Sequence, residues 1–180
     1  MRADLPELTG LRKHLPQVDL RLGISTGEVV VGNIGSENAR SYTVIGDTVN
    51  LGQRLEAANR FYGTHILVSE ATREGAGAAI VTREIDFLVV KGKTETARAF
   101  EVLGLQGEVP EVRLALCERF AEALAAYRSQ TWDRAEAALQ GCLELSPNDG
   151  PSMVFIERIQ QLRLQPPGED WNGVWRLKAK

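Results

Sequence analysis

The stretch Tyr42–Arg54, YTVIGDTVNLGQR, decides the fold around it, because a strand passes directly into a helix there. Its first residues are typical of a strand, and Gly46 interrupts the run. Asp47 or Thr48 is a suitable N-cap for the amphipathic pattern that follows, so we predict a helix over 48–62.

Three polar side chains are predicted to meet at this strand–helix corner. Asn50 and Arg54 are one turn apart, and helical side chains lean toward the N-terminus, so both point back toward Thr43. The corner also has the positive end of the helix dipole, which favours an anion such as a phosphate. A solvated face of an amphipathic helix explains the same spacing, so spacing alone leaves both interpretations open.

The chain around this corner resembles the second half of a class III nucleotidyl cyclase catalytic domain. The motif G-D-T-V-N-x-x-x-R after a Tyr-containing strand carries the resemblance. Further blocks of the same kind extend it from Leu20 to about Gly104: LRLGISTGEVVVGNIGS, YTVIGDTVNLGQRLEAANRFYG, HILVSEAT, VVKGK and AFEVLG. Several ordered blocks at family-like distances are more specific than any one of them.

The resemblance implies that Asn50 acts at the ribose and Arg54 at the phosphorus under attack. Cyclisation joins the substrate's own 3′-hydroxyl to its α-phosphate, so catalysis depends on holding the ribose and neutralising charge as pyrophosphate leaves. An amide orients the sugar, and a guanidinium neutralises the charge. These two residues are therefore the candidate catalytic residues.

Two further cations of the family, which contact the triphosphate, correspond to Arg21 and Lys91. Alternation over 18–24 is expected to bury the apolar residues and to put Arg21 on the opposite face. Lys91 follows the apolar run 87–90. If the family resemblance is set aside, Arg21 is explained as an exposed strand arginine and Lys91 as part of a solvated Lys–Gly–Lys turn.

Thr43 bears on which base is bound. Many bacterial members of the family carry Thr at this position, where many animal adenylyl cyclases carry Asp. A Thr hydroxyl can accept a hydrogen bond from the amine of adenine or donate one to the oxygen of guanine. The resemblance therefore favours ATP as substrate and leaves GTP open. Gly52 stands where the family usually has a small residue such as Ala, and the glycine should cost the helix roughly 1 kcal/mol.

The metal-binding half of the family's domain is not found in this sequence. That half supplies carboxylates for two Mg²⁺ or Mn²⁺ ions and a Lys that reads the base. The acids that precede the strand at Leu20 are Asp4, Glu7 and Asp19, and they lack the apolar strand context of a metal site. Family active sites form between two protomers. We therefore expect this chain to furnish one side only, to contain no metal ligands and to be inactive alone.

Composition and charge exclude several classes of protein. A hydrophobic content of 43% in 180 residues is enough for a packed core. The formal net charge of -3 is not the footprint of a nucleic-acid-binding protein. No apolar run approaches the roughly 18 residues of a membrane span, and Cys117 and Cys142 have no metal or redox spacing. We expect a cytoplasmic chain, or the cytoplasmic portion of a membrane-anchored receptor cyclase.

Two segments are predicted, a cyclase part over 1–106 and a helical tail over 107–180, because Gly and Pro punctuate the chain near 104–110. The resemblance implies an α+β fold, with a partial ferredoxin-like mixed sheet and helices on one side. Without its first half, this sheet should have an unpaired edge, so a homodimer or other self-association is expected. Strands are predicted over 18–25, 28–34, 41–45, 65–69, 79–90 and 98–103.

The tail shows helical periodicity and resembles one tetratricopeptide unit, with F-x-x-A-L-x-x-Y, then W-x-x-A, then Pro147. A third helix is predicted over 151–163, ended by Pro166 and Pro167. One such unit cannot bury its apolar face alone. It must pack on its own cyclase part, on Trp171 and Trp175, or on a protein partner. Tails that end in P-P-x-x-x-W-x-G-V-W, as this one does, follow the cyclase domain in some bacterial receptor-type cyclases. This resemblance implies a regulatory or dimer-stabilising role.

Three functional interpretations stay open at this stage. The chain is part of an adenylate cyclase that needs its missing half, or a non-catalytic regulatory homologue, or a helical-repeat interaction module on an incidental α/β platform. The presence of Arg21, Asn50, Arg54 and Lys91 favours the first interpretation. Wide separation of these residues, or their burial in structural ion pairs, would favour the third.

Overall fold

The computed structural model of the protein describes residues 19–36, 39–89, 96–168 and 170–175. All predicted elements are found, with bounds within a few residues of those expected. The strands are β1 (Leu22–Ile24), β2 (Val30–Ser36), β3 (Ala39–Ile45), β4 (Ile66–Ser69), β5 (Ile80–Val89) and β6 (Thr96–Leu105). The α-helices are α1 (Asp47–Tyr62), α2 (Glu70–Ala76), α3 (Glu111–Arg128), α4 (Trp132–Leu145) and α5 (Gly150–Leu164).

Four strands form a mixed sheet in the order β1-β4-β6-β5. β1 runs parallel to β4, whereas β6 pairs antiparallel with both β4 and β5. β2 and β3 form a separate antiparallel hairpin. The predicted α+β class is therefore confirmed, and β1 and β5 are the edges of the described part of the sheet.

The two faces of the sheet are covered differently. Leu67 and Ala99 face the main core with the long helices. On the opposite face, Phe100 pairs with Val68 in register and lies under the guanidinium of Arg73 from α2, 4.8 Å from the ring centre. The long helices therefore share one face, and the short α2 covers part of the other.

The N-terminus of α1 is set by glycine rather than by a side-chain cap. Gly46 is the N-cap residue, with φ 154°, and a glycine has no side chain with which to cap the helix. The prediction that Asp47 or Thr48 caps the helix is wrong. The Thr48 hydroxyl instead donates to the backbone carbonyl of Glu28 at 3.1 Å, which ties the helix start to the loop before β2. A glycine is required because this φ is one that side-chain-bearing residues rarely adopt.

β1 and α1 touch through glycines. A Cβ atom on Gly23 would lie 2.2 Å from the carbonyl oxygen of Gly52, so the two backbones are in direct contact. Because Gly23 faces the helix, its neighbour Ile24 faces away and is 44% exposed. The predicted burial of the apolar residues over 18–24 is therefore wrong, since the glycine face of the strand packs on α1.

The three tail helices share one core with the sheet and α1. Of the packing partners considered for the tail, its own cyclase part is found, and Trp171 and Trp175 are partly buried against the same core. The comparison with a tetratricopeptide unit and the boundary between 106 and 107 stay predictions. No helix in the described ranges is long and apolar enough to cross a membrane. The core contains Leu55, Tyr62, Leu67, Ile85, Ala99, Leu116, Phe120, Tyr127, Leu139, Phe155 and Ile159.

Candidate active site

Arg54 links the strand–helix corner to the end of β5. Its Nη1 atom donates a hydrogen bond to the backbone carbonyl of Val89, the last residue of that strand. The Arg54 side chain is partly buried, so it is more than a solvated helix surface. Lys91 follows Val89 by two residues and lies outside the described residues. The fold therefore brings Arg54 next to the start of the segment that carries Lys91.

Asn50 and Thr43 lie on either side of the start of α1. Asn50 is exposed in the first turn, and its backbone N–H donates to the Gly46 carbonyl at 3.2 Å. Thr43 is partly buried in β3, opposite Gly32 of β2. Because β3 enters α1 through Gly46, both polar residues belong to the same corner as Arg54. Their convergence on a single ligand stays a prediction.

Arg21 is bound to a different set of residues. Its Nη2 atom lies 3.0 Å from Asp19 Oδ2, and Asp19 Oδ1 lies 3.2 Å from Nδ1 of His65. The Nε atom of Arg21 is buried and has no hydrogen-bond partner among the described residues. The exposed pair with Asp19 is the kind of surface ion pair that contributes little to stability.

Arg21 lies near the C-terminal part of α1 rather than near the start of that helix, where Asn50 lies. The side-chain amide of Asn59 donates to the Leu22 carbonyl at 2.9 Å, so the start of β1 lies beside the C-terminal part of α1. About 14 Å of helix separates Asn59 from Asn50. The fold therefore places Asn50 and Arg54 one turn apart on α1, with Thr43 on the strand that leads into this helix. Arg21 lies near the opposite end of the helix.

A buried polar cluster that sequence patterns did not predict lies further along α1. The Tyr62 hydroxyl donates to Asp86 Oδ2 at 2.6 Å. Arg158 of α5 donates from Nη1 to the same carboxylate oxygen at 2.5 Å and from Nη2 to the Tyr62 hydroxyl oxygen at 2.7 Å. All three side chains are buried. We call Tyr62, Asp86 and Arg158 the triad.

The protonation states of the triad follow from its surroundings. Burial, followed by the charge of Asp86, raises the pKa of Tyr62 far above its ordinary value, so the hydroxyl keeps its proton. Burial alone would lower the pKa of Arg158, but the adjacent Asp86 outweighs burial and raises that pKa. The guanidinium therefore stays charged, and the carboxylate accepts from both partners.

A sequence signal for the triad exists, although it does not identify the partners. Asp86 lies among the apolar residues at the end of β5, and Arg158 falls on the apolar face of α5 between Phe155 and Ile159. A charge at a core position requires a partner, because an unpaired buried charge is very costly. Pairing these two residues needs the tertiary structure, since they are 72 positions apart.

The comparison with known proteins identifies the family. The sequence profile of the adenylate and guanylate cyclase catalytic domain matches residues 8–102, which is more than half of the chain. The chain belongs to this family. The matched range contains the strand–helix corner, Arg21 and Lys91, and ends before the helices of the tail.

The chain is also similar to several individual proteins. This cyclase chain is 31% identical over 175 residues to the terminal-differentiation-specific adenylate cyclase of Dictyostelium discoideum, covering 90% of this chain and 8% of that protein. It is 37% identical over 91 residues to adenylate cyclase 1 of Rhizobium meliloti, covering 51% and 14%. The adenylyl cyclase CyaB from P. aeruginosa matches with a TM-score of 0.47 and 28% identity, over 61% of this chain and 55% of that one. The chain spans less than a fifth of the length of the first two relatives.

The described residues of this cyclase chain do not fit a pair of divalent cations. No group of three or more His, Cys, Asp or Glu in the described ranges could hold a metal ion. The buried carboxylates are instead occupied by arginine. Glu101 and Asp149 accept from Arg83 at 2.6 Å and 2.9 Å, and the Asp86 carboxylate accepts from Arg158.

The β2–β3 hairpin of the cyclase domain presents an apolar surface. Val30 is 64% exposed and Tyr42 is 73% exposed. Val31, Val44 and Ile45 on the same two strands are also exposed. Val30 pairs with Ile45, and Val31 pairs with Val44, so both faces of the hairpin carry exposed apolar side chains. Exposed apolar residues grouped in this way are typical of a segment that another polypeptide covers.

Proposed function

We propose that this chain supplies the ribose- and transition-state-binding side of an adenylate cyclase, which converts ATP to cyclic AMP and pyrophosphate. The observation that carries the proposal is the hydrogen bond from Arg54 to the Val89 carbonyl. It holds a guanidinium at the end of β5, beside the segment with Lys91 and one turn from the exposed Asn50. Family membership supplies the class of reaction.

Each residue of the corner has a defined task in this proposal. Asn50 orients the ribose so that its 3′-oxygen can bond to the α-phosphorus. Arg54 uses one N–H on Val89, and the remaining guanidinium donors are suited to the oxygens that gain charge as pyrophosphate leaves. Lys91 binds the triphosphate. Positioning and neutralisation of charge are the main demands of phosphoryl transfer, and these residue types meet them.

Thr43 is the proposed base-reading residue on this side of the site. Its hydroxyl would accept from the exocyclic amine of adenine, although donation to guanine is chemically equivalent. We favour ATP because the relatives reported above are adenylate cyclases. A reaction with GTP in place of ATP tests this choice directly.

We further propose that the complete site forms between this chain and a separate metal-binding half, and that the chain also forms a homodimer or other self-association through its cyclase part. The apolar β2–β3 hairpin is a surface suited to that association. The position of Arg21 supports the same arrangement, because this residue lies at the far end of α1 from Asn50. Arg21 would therefore serve a nucleotide other than the one that its own Arg54 contacts. Mg²⁺ or Mn²⁺ would be held by the other side, and the chain alone would be inactive.

The remaining proposals concern the tail and the location of the protein. The helical tail would act as a regulatory or dimer-stabilising element with a tetratricopeptide-like hairpin, and a protein partner is one candidate ligand for it. The protein would act in the cytoplasm of a bacterium. A non-catalytic regulatory homologue is the alternative function, and it makes the opposite prediction about product formation.

The test is an assay of cyclic AMP by mass spectrometry with MnATP. The purified chain is assayed alone and mixed with the metal-binding half of a related cyclase. We expect product only in the mixture, and we expect Arg54→Ala to lower its turnover by a factor on the order of 10² to 10³. Arg60→Ala is the matched control, since Arg60 is an exposed arginine of the same helix.

Each outcome of this assay has a distinct meaning. Normal turnover by Arg54→Ala in the mixture contradicts the assignment of Arg54. Product from the chain alone contradicts the claim that the second side comes from elsewhere. Absence of product in both arms, and in a parallel arm with the full-length protein, favours the regulatory alternative. Cyclic GMP from GTP at a comparable rate contradicts the preference for ATP.

A further inference from the structure

Two side-chain links join α1 to β5. Arg54 donates to the Val89 carbonyl, and eight residues later Tyr62 donates to Asp86. Eight residues of helix span about 12 Å and three residues of strand span about 10 Å, so the two links run side by side between antiparallel elements. The position of Arg54 relative to β5 therefore depends on both links, because the helix between them is continuous.

The second link is held by the helical tail. Arg158 of α5 binds both members of that link, at 2.5 Å and 2.7 Å. The same helix touches α1 again at its own start, where a Cβ atom on Gly150 would lie 2.1 Å from the Tyr62 carbonyl oxygen. The Trp175 ring lies 5.3 Å from the Arg158 guanidinium and packs on it. The tail therefore fixes both the backbone and the side chain of Tyr62.

We infer that Arg158 is a positioning residue for Arg54, through which the helical tail sets the geometry of the candidate active site; this inference rests on the proposed function. Arg158 is 3% exposed and lies on a different helix from Arg54, so it does not contact the nucleotide. It acts by fixing the C-terminal end of α1 on β5. Arg54 lies on the same helix and bonds to the same strand, so its position is fixed as a consequence.

The chemistry of the triad explains why an arginine is needed there. A guanidinium presents donors in a fixed planar fork, so one side chain can bind the Asp86 carboxylate and the Tyr62 oxygen at once. A lysine keeps the charge but cannot reproduce this two-point geometry. Arg158→Lys should therefore preserve charge pairing while it loosens the link between α1 and β5. Misplacement of a catalytic group by about 1 Å can lower a rate on the order of a hundredfold.

The first arm of the test does not depend on activity. Hydrogen exchange is measured by mass spectrometry on the whole chain as wild type, Arg158→Lys, Tyr62→Phe and Arg98→Lys. Arg98 is the matched control, since it binds two carboxylates, Glu70 and Glu84, and packs on Phe100 on the opposite face of the sheet. We expect the first two variants to speed exchange at least threefold in α1 and at the end of β5, and the control to leave both unchanged. Unchanged exchange in α1, or an equal rise in the control, overturns the inference.

The second arm measures coupling to Arg54. In the reconstituted assembly, Arg158→Lys is expected to lower kcat on the order of tenfold to a hundredfold with the KM for ATP nearly unchanged. If Arg158 acts through Arg54, the same change in an Arg54→Ala background should lower kcat by less than threefold further. If Arg158→Lys lowers kcat by the same factor in the wild-type and Arg54→Ala backgrounds, the inference is overturned in favour of a purely structural role. Normal turnover by Arg54→Ala overturns the proposed function instead, and the exchange data still decide whether the tail holds α1 on β5.

Discussion

Glu84 shows how a single side chain of this protein responds to its neighbours. It lies in β5 and accepts hydrogen bonds from Arg98 and from Arg128, the latter at 2.6 Å. Burial tends to raise the pKa of Glu84, but the hydrogen bonds from the two arginines outweigh burial and lower that pKa below its ordinary value of 4.5. The carboxylate form is therefore favoured by folding.

This lowered pKa predicts a stability difference that depends on pH. A carboxyl with a lower pKa in the folded state stabilises the protein fully above its unfolded pKa, and loses that contribution as the pH falls through the folded value. The excess stability of wild type over Glu84→Gln should be constant above about pH 5 and should shrink below about pH 4. Urea unfolding at a series of pH values measures it. Glu144→Gln, at an exposed position, is the control, and a constant difference down to pH 3 would contradict the prediction.

At the scale of one residue, the candidate catalytic side chains differ in how firmly the fold holds them. Arg54 is partly buried and bonded to the backbone, whereas Asn50 is exposed. Because burial constrains an exposed amide less than a buried one, Asn50 would, in the proposed function, gain its orientation from the substrate or from a second polypeptide. The asymmetry agrees with a site in which the charge-neutralising group is fixed by this chain and the ribose contact is completed on binding.

At the scale of elements, the contact between β1 and α1 predicts opposite effects for two glycines. A Cβ on Gly23 would lie 2.2 Å from the Gly52 carbonyl oxygen and 2.3 Å from the Glu56 backbone nitrogen. Backbone atoms cannot move aside cheaply, so Gly23→Ala should destabilise the fold by about 1–3 kcal/mol or more. A Cβ on Gly52 meets nothing closer than 3.7 Å, so Gly52→Ala should stabilise the helix by about 1 kcal/mol.

Urea denaturation of the two variants measures this pair of effects against wild type. Each variant is the control for the other, since both add one methyl group at the same contact. The same sign of change for Gly23→Ala and Gly52→Ala would show that the strand and the helix are not packed through their glycines. A rise in cyclase turnover for Gly52→Ala in the reconstituted assembly would further indicate that a firmer α1 improves the placement of Arg54.

At the scale of the whole molecule, the tail and the cyclase part are expected to fold as one unit. The shared core joins Tyr62 and Ile85 to Phe120 and Phe155, and the charge of Asp86 is compensated by a tail residue. A fragment of residues 1–106 should therefore lose cooperative unfolding and should bind a hydrophobic dye, because its apolar face is uncovered and its Asp86 unpaired. If this expectation holds, the proposed boundary at 106 would separate the cyclase part from a helical cap rather than two independently stable units.

Circular dichroism and dye binding on purified fragments check this expectation. A fragment of residues 1–175 is the control, since it keeps the tail helices and both packed tryptophans. We expect it to unfold with the midpoint of the whole chain. Cooperative unfolding of the 1–106 fragment at that same midpoint would contradict a shared core and would favour two independent domains.

Sequence patterns were sufficient for the strands and helices and for the family, whereas the location of the site stays a prediction. Hydrophobic periodicity and the turn at Gly46 predicted the strand–helix corner, and the motif around Asn50 and Arg54 indicated the family that the profile comparison confirmed. They were not sufficient for β1, where alternation predicted a buried apolar face. The glycine face packs on the helix instead, which no local pattern reports.

The sequence alone therefore determined which segments are strands and helices, the family, and the residues proposed to act on the nucleotide. These depend on short-range periodicity and on residues that lie within a few positions of one another. Only the tertiary structure decided that the start of β1, next to Arg21, packs beside Asn59 in the C-terminal part of α1, and that Arg158 pairs with Asp86 across 72 positions. The physical reason is that such contacts depend on how whole elements pack, and packing is a property of the folded chain rather than of any one stretch of it.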